Sequence, residues 1–219
     1  MHSAAGLSFI VIATAFASVP VHAQNTDDDL RVYAAGVINV APFYPFSMTG
    51  VYLGKGAVLT AAHVLGHWPP SANPTIVIAG QKLAAKIIKK GSFPALDLAL
   101  LSVNEASLPV SVRLHRIPLC KAPPSVGTNV VVVYPGRTAR SRVISSQLIP
   151  SEYRSQFGTL LRDVQGSGSG AFDAERKCLL GIMSGSVTTA SSVRGQIGHA
   201  GYFVPASKIA AFIPVEFRF

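Results

Sequence analysis

The side chains of this protein best equipped for bond-making chemistry are an aspartate, a histidine and a pair of glycine-flanked serines. Asp97 sits in Ala95-Leu96-Asp97-Leu98-Ala99-Leu100-Leu101. An ionised carboxylate among that much leucine is costly to bury unless a hydrogen-bonded partner faces it. The candidate partner is His63, in Val58-Leu59-Thr60-Ala61-Ala62-His63-Val64-Leu65, itself an imidazole among small and apolar residues. A carboxylate against an imidazole fixes the ring tautomer and stabilises the imidazolium. With a serine hydroxyl at the other ring nitrogen, the three groups can carry out nucleophilic catalysis. Taken alone, a histidine in an apolar run reads as a core residue. Its occurrence with the aspartate and serines, in the chain order His, Asp, Ser, argues for chemistry.

The serines lie in DVQGSGSGAFDAERKCLLGIMSG, residues 163 to 185. Glycine–serine runs usually behave as flexible linkers. Here the run leads at once into Ala171-Phe172 and the apolar segment Cys178 to Met183. A tight turn that presents a reactive serine fits this context better than a tether, and either Ser167 or Ser169 can be that serine.

These residues need a scaffold. From Leu30 onward the chain is a series of short, β-branched-rich apolar runs, among them Gly36 to Val40, Gly56 to Thr60, Thr75 to Ile78 and Leu98 to Leu101. Asn129 to Tyr134, Arg142 to Ser145 and Leu179 to Ile182 follow, with Gly, Pro, Asn and Ser between them. Strands at roughly 8–12-residue spacing with such turns predict an all-β barrel or sandwich. Helical stretches do not alternate with strands, so a parallel α/β sheet is a poor fit. Two helical pieces are expected, around Ala61 to Leu65 and over Pro205 to Ile213. The proline-broken stretch Arg116 to Val126 is expected to join two halves of the chain.

The chain has 219 residues, 49% of them hydrophobic and 13% charged, which supports a packed core. The apolar block Leu7 to Val19, ending in Val21-His22-Ala23, has the layout of a secretory signal peptide over residues 1–23. The block is short for a membrane span of about 20 residues, so cleavage after Ala23, which leaves no span, is expected; an uncleaved membrane anchor is the alternative. Residues 24–34, opening with Asn25-Thr26-Asp27-Asp28-Asp29, read as a mobile lead-in. Export suits a disulfide between the only two cysteines, Cys120 and Cys178; two buried free thiols are the alternative. The net charge of +9 is scattered, with small clusters at Lys86-Lys89-Lys90 and Arg137-Arg140-Arg142. Neither is interleaved with aromatics, so a solvated basic surface is expected rather than a specific nucleic-acid site. No metal-ligand cluster or phosphate loop is evident, and no cofactor is expected.

At three blocks the sequence resembles the chymotrypsin-like (trypsin-like) serine proteases, in their bacterial-type branch. Leu59 to His63 resembles the family's histidine box, Leu96 to Leu101 its aspartate box, and Gly166 to Asp173 its serine box. The resemblance covers roughly residues 35 to 213. It implies an all-β fold of two six-stranded antiparallel barrels, about 35–119 and 120–219, with a C-terminal helix. It implies a catalytic triad of His63, Asp97 and Ser167, since Ser167 as nucleophile places Ala171 and Phe172 where the family begins its apolar strand. Backbone amides of Gln165 and Ser167 are the implied oxyanion donors. Leu161, six residues before Ser167, takes the place of the pocket base, and Ser184, Gly185 and Ser186 that of the cleft-lining strand. These residues imply an apolar or small side chain before the scissile bond. His199 supports a rival preference for glutamate. The family usually has Gly at the position of Gln165 and Asp at that of Gly166, so activation by an ion pair to a new N-terminus is not expected. The implied protein is a secreted or periplasmic, monomeric serine endopeptidase acting on polypeptides. The alternative is a catalytically inactive homologue serving as an exported binding module. An α/β-hydrolase is excluded, because the residue at the centre of Gly166 to Gly170 is Gly168 and the chain order fails.

Overall fold

The computed structural model describes residues 27–38, 47–66, 74–93, 95–149, 151–154, 156–157, 159–190 and 197–217. The expected signal peptide, 1–23, lies outside the described residues. Among the described residues, twelve strands form two closed antiparallel barrels of six. The first holds β1 (Ala34–Ile38), β2 (Ser47–Gly54), β3 (Ala57–Thr60), β4 (Thr75–Ile78), β5 (Gln81–Lys90) and β6 (Ala99–Val103), in the order β1-β2-β3-β6-β5-β4. The second holds β7 (Asn129–Tyr134), β8 (Arg137–Ile144), β9 (Thr159–Arg162), β10 (Gly170–Asp173), β11 (Leu179–Ala190) and β12 (Ile197–Pro205), in the order β10-β11-β12-β9-β8-β7. This is the expected fold class, a pair of chymotrypsin-type barrels followed by a helix.

The strands read as continuous apolar runs because the central ones are covered on both faces. In β7, Val130, Val132 and Tyr134 point into the second barrel, while Val131 and Val133 face the seam between barrels. In the first barrel, Val58, Ala99 and Leu101 fill the interior, and Leu59, Leu98 and Leu100 turn to the seam. Strand alternation thus sends every second residue to a different core. The seam core also takes Ile209 and Phe212 of a helix, Ala206–Phe212, one residue shorter at each end than the expected Pro205 to Ile213. Pro205 keeps an extended backbone and caps that helix instead of joining it.

Between the barrels the chain carries a 3-10 turn, Glu105–Ser107, and a one-turn helix, Val110–Arg113, then a segment with no strand beyond a single bridge from Leu119 to Leu179. Cys120 and Cys178 are joined in a disulfide that ties this connection to the β10–β11 turn, so the free-thiol alternative falls. At the other end, residues 27–33 lie within the stretch expected to be mobile, yet Asp28–Tyr33 forms a 3-10 helix against the second barrel. Leu30 is buried in the seam core and Tyr33 stacks on Phe172 at 5.9 Å. Buried Asp27 pairs with Arg140 at 2.5 Å and Lys177 at 3.6 Å. Residues 24–34 read as a mobile lead-in because the partners of Asp27 lie more than a hundred residues away along the chain. No helix among the described residues is long and apolar enough to cross a membrane.

Candidate active site

His63 enters the site on a 3-10 turn, Ala62–Leu65, that follows β3. Ala62, Val64 and Leu65 are buried and anchor this turn, leaving the imidazole as its polar, partly exposed member. The ring meets Phe93 edge-on at 6.0 Å. Its Nδ1 lies 2.7 Å from Asp97 Oδ2, and its backbone N–H donates to Asp97 Oδ1 at 2.9 Å. An ionised carboxylate only accepts, so Nδ1 carries a proton, and the tautomer this selects for the neutral ring has its lone pair on Nε2.

Asp97 has no exposed surface. Burial pushes its carboxyl pKa up. The His63 side chain, the Ser184 hydroxyl, the His63 backbone N–H and the imidazole's charge together outweigh that and hold it below the usual carboxylate range. The Asp97 backbone N–H is also occupied, donating to Gln156 Oε1 at 2.9 Å, while Gln156 Nε2 donates to the Phe93 carbonyl at 2.7 Å. The carboxylate is therefore fixed from both ends of the residue.

Ser167 sits in the turn that leads into β10. Gly166 and Gly168 on either side adopt φ of 135° and 85°, which side chains resist. A Cβ on Gly168 would also collide with the Thr49 carbonyl. The turn is tied to the first barrel by Thr49, whose hydroxyl donates to the Ser167 carbonyl at 2.7 Å. Because that proton is committed, Thr49 Oγ1 must accept the proton of Ser169 Oγ, 2.8 Å away. Ser169 is completely buried in this pairing, whereas Ser167 retains exposed surface. The GSGSG run is thus a tight, bonded turn, and its second serine is structural.

The Ser167 hydroxyl does not meet His63 directly. It donates to the Ser184 carbonyl at 3.0 Å. The Ser184 hydroxyl, in turn, donates to Asp97 Oδ2. Ser184 thereby contacts two of the three segments at once, through its carbonyl and its hydroxyl. Among the described residues, neither the Gln165 nor the Ser167 backbone N–H has an acceptor, so both are free to bind an anionic oxygen. Gln165 takes an ordinary backbone conformation; the left-handed step falls on Gly166.

The remaining expected residues are arranged differently from one another. Ser184 is buried, Gly185 is half-buried and Ser186 is exposed along β11. Tyr202 packs its hydroxyl against Gly185, where any Cβ would collide with it. Leu161 pairs across from Gly201 and is entirely buried with Val164, Met183 and Phe203 in the second barrel. It belongs to that core, not to an open wall. His199 is exposed on the same face of β12 as Gly201, opposite Ala200 and Tyr202, and borders a depression with Tyr134, Arg137 and Gln165. Gln156 and the Ser184 hydroxyl are the participants that sequence reasoning did not find. No group of three His, Cys, Asp or Glu side chains among the described residues could hold a metal ion.

Comparison with known proteins agrees with this architecture. The Rv3671c protease from M. tuberculosis, in its active form, matches with a TM-score of 0.60 and 19% identity over 92% of each chain. A serine endoprotease from Yersinia pestis matches with a TM-score of 0.59 and 18% identity, over 85% of this chain and 64% of that one. The MamO protease domain from Magnetospirillum magneticum matches with a TM-score of 0.53 and 18% identity, over 84% and 97%. At such identities the likeness is one of fold. No curated protein matches the sequence. The profile of the trypsin-like peptidase domain, however, matches residues 48–182. That span is more than half of the chain and holds His63, Asp97 and Ser167, so the protein belongs to the trypsin-like peptidase domain family.

Proposed function

We propose that this protein is an exported serine endopeptidase that cleaves polypeptides through Ser167, His63 and Asp97. The observation that carries the reading is the fully buried Asp97 carboxylate, with both oxygens engaged by His63. This arrangement costs desolvation and is of use chiefly for holding an imidazole with Nε2 free. In the reaction the Ser167 hydroxyl leaves the Ser184 carbonyl and turns to His63 Nε2. Nε2 takes the proton as Oγ attacks the peptide carbonyl. Loose serine–histidine contacts of this kind commonly tighten only with substrate bound. The carbonyl oxygen gains negative charge and is met by the N–H groups of Gln165 and Ser167, each worth about 3–4 kcal/mol in such sites. The imidazolium then protonates the leaving amine, and water, activated by the same ring, releases the acyl group from Ser167.

The substrate side chain before the scissile bond is small and apolar in this reading. Tyr202 crowds the β11 segment at Gly185, and Leu161 and Met183 are spent on the barrel core. The position of His199 on the opposite face of β12 from Ala200 and Tyr202 weighs against a glutamate preference. Export is supported by the disulfide, which suits an oxidising compartment. A second reading, a catalytically silent relative acting as a binding module, is favoured by one observation, the Ser167 hydroxyl bonded to Ser184 rather than His63.

A fluorophosphonate probe and a peptide library decide between them. Wild type and Ser169→Ala are expected to label and to cleave after small apolar residues. His63→Ala and Ser167→Ala are expected to do neither. Folded wild type that neither labels nor cleaves would overturn the peptidase reading and favour the binding module.

A further inference from the structure

We propose that Tyr134 is the positioning residue that holds the segment from Gln165 to Ser167 in the shape needed to receive an oxyanion; the assignment rests on the peptidase reading above for its catalytic consequence. Tyr134 closes β7 and is 6% exposed. Its hydroxyl donates to the Gln165 carbonyl at 2.5 Å. Among the described residues that carbonyl has no other partner. The ring lies against Gly166, where an added Cβ would come within 2.5 Å of Cε1. On the ring itself sits the Arg137 guanidinium, 4.1 Å from the centroid, delivered by the β7–β8 register that pairs the two residues.

These contacts act on one peptide plane. Fixing the Gln165 carbonyl sets the orientation of the Gln165–Gly166 peptide. The two amides proposed to stabilise the oxyanion, on Gln165 and Ser167, flank that plane. The segment needs such a hold. Gln165 is exposed, Asp163 just before it is in the left-handed region at φ 53°, and Gly166 has the widest backbone freedom of any residue. Downstream anchors exist, with Gly168 N–H donating to the Met183 carbonyl at 2.8 Å and Ser169 N–H to the Gly166 carbonyl at 3.2 Å. At Gln165 itself, between the Asp163 N–H bonded to the His199 carbonyl and the Gly166 carbonyl bonded to the Ser169 N–H, the tyrosine hydroxyl is the tie. Burial raises the Tyr134 pKa above its ordinary value, which outweighs the lowering by Arg137, so the hydroxyl remains a donor through neutral and mildly alkaline pH. Arg137 holds the ring from the solvent side, and Gly166 supplies the room on the other.

The test is Tyr134→Phe, which removes the hydroxyl and keeps the ring, with two readouts on the full folded chain. The first is kinetic. kcat on a good library peptide is expected to fall on the order of 10- to 100-fold with KM within about twofold, because substrate contacts are intact while the oxyanion donors are displaced. The second, amide hydrogen exchange, is independent of activity. Protection at Gly168 and Ser169 is expected to fall roughly five- to tenfold, as suits one lost hydrogen bond, with other strands unchanged. Arg137→Ala, which frees the ring but keeps the hydroxyl, is expected to produce smaller changes in the same direction, and it serves if the phenylalanine variant does not fold. Unchanged protection at Gly168 and Ser169 would overturn the proposal, as would unchanged kcat in an active enzyme. If wild type proves inactive while Tyr134→Phe still loosens these amides, the holding role stands and the peptidase reading falls instead.

Discussion

Replacing Asp97 by asparagine changes one acceptor into a donor without changing shape, and the surrounding hydrogen bonds dictate the result. Oδ1 accepts from the His63 backbone N–H, while Oδ2 accepts from His63 Nδ1 and the Ser184 hydroxyl. Asparagine has one oxygen and one NH₂. With its oxygen kept toward the backbone N–H, the NH₂ faces Nδ1. The ring must then accept at Nδ1 and carry its proton on Nε2, where it cannot take the proton of Ser167. The flipped placement preserves the correct tautomer but sets the NH₂ against the backbone N–H. Two buried donors then lack acceptors, at about 1–3 kcal/mol each. A cost of about 2–6 kcal/mol leaves the competent form at roughly 10⁻² to 10⁻⁴ of the molecules. Loss of the carboxylate's hold on the imidazolium adds to this. The expected fall in kcat is on the order of 10⁴-fold, or about 5.4 kcal/mol of barrier. KM is expected to stay within a few-fold, because Asp97 is wholly buried and touches no substrate. A fluorogenic peptide chosen from the library reports kcat and KM, and calorimetry confirms that the variant is folded. An asparagine variant that is folded and keeps kcat within tenfold of wild type would refute the tautomer argument, and with it the role given to the buried carboxylate.

Removing the Cys120–Cys178 disulfide by a double serine substitution opens a loop of sequence separation 58. Chain entropy puts the loss at about 4 kcal/mol, and at roughly 2–4 °C per kcal/mol for a domain of this size the melting midpoint should drop by about 10 °C; a midpoint shifted by under about 3 °C would show that the bond does not restrain the unfolded chain. Acid stability depends on Asp97 and Asp173, both lowered from 3.8 in the folded state. For Asp173, burial pushes the pKa up, but the N–H groups of Arg176 and Glu175 and the Arg176 guanidinium outweigh it. Because the folded pKa lies below the unfolded one, the stabilisation is complete above about pH 4 and is lost as pH falls through the depressed value. Melting midpoints measured from pH 5 to 2 should therefore fall less steeply for Asp173→Asn than for wild type, and parallel curves would disprove the linkage.

The pair His63–Asp97 was legible in the sequence for a physical reason. Eight residues around Asp97 contain no other charge, so the carboxylate had to find a donor at long range. The barrel strands were legible as well, since continuous runs such as Val130 to Val133 arise when both faces of a strand are covered. Other features have no local signature. Gln156 reaches the Asp97 amide across 59 positions, and a lone glutamine near a tyrosine and a phenylalanine signals nothing. Tyr134 ends a valine run and reads as one more apolar residue until folding aims its hydroxyl at Gln165. Leu161 shows a different limit. Counting back from Ser167 measures distance along the chain, but the facing of a side chain in β9 depends on odd or even position. Its register opposite Gly201 turns it into the second barrel's core.

The candidate site is made at a seam, which explains why its geometry depends on residues far from any motif. His63, Asp97 and Thr49 belong to the first barrel's segments; Ser167, Ser184, Tyr134 and Gln156 belong to the second's. Their mutual distances are set by how the barrels dock, and docking is governed by apolar packing between Leu59, Leu98 and Leu100 on one side and Val131, Val133 and Ile182 on the other. A dense core of this kind resists sliding, since shifting it opens voids or forces overlaps. Polar ties alone could not do this work: Thr49 to Ser167 and Ser184 to Asp97 are single hydrogen bonds, with net worths of about 0.5–1.5 and about 1.5–3 kcal/mol. The leucines that make Asp97 conspicuous in the sequence are thus the same residues that fix its distance from Ser184, and through Ser184 the placement of Ser167.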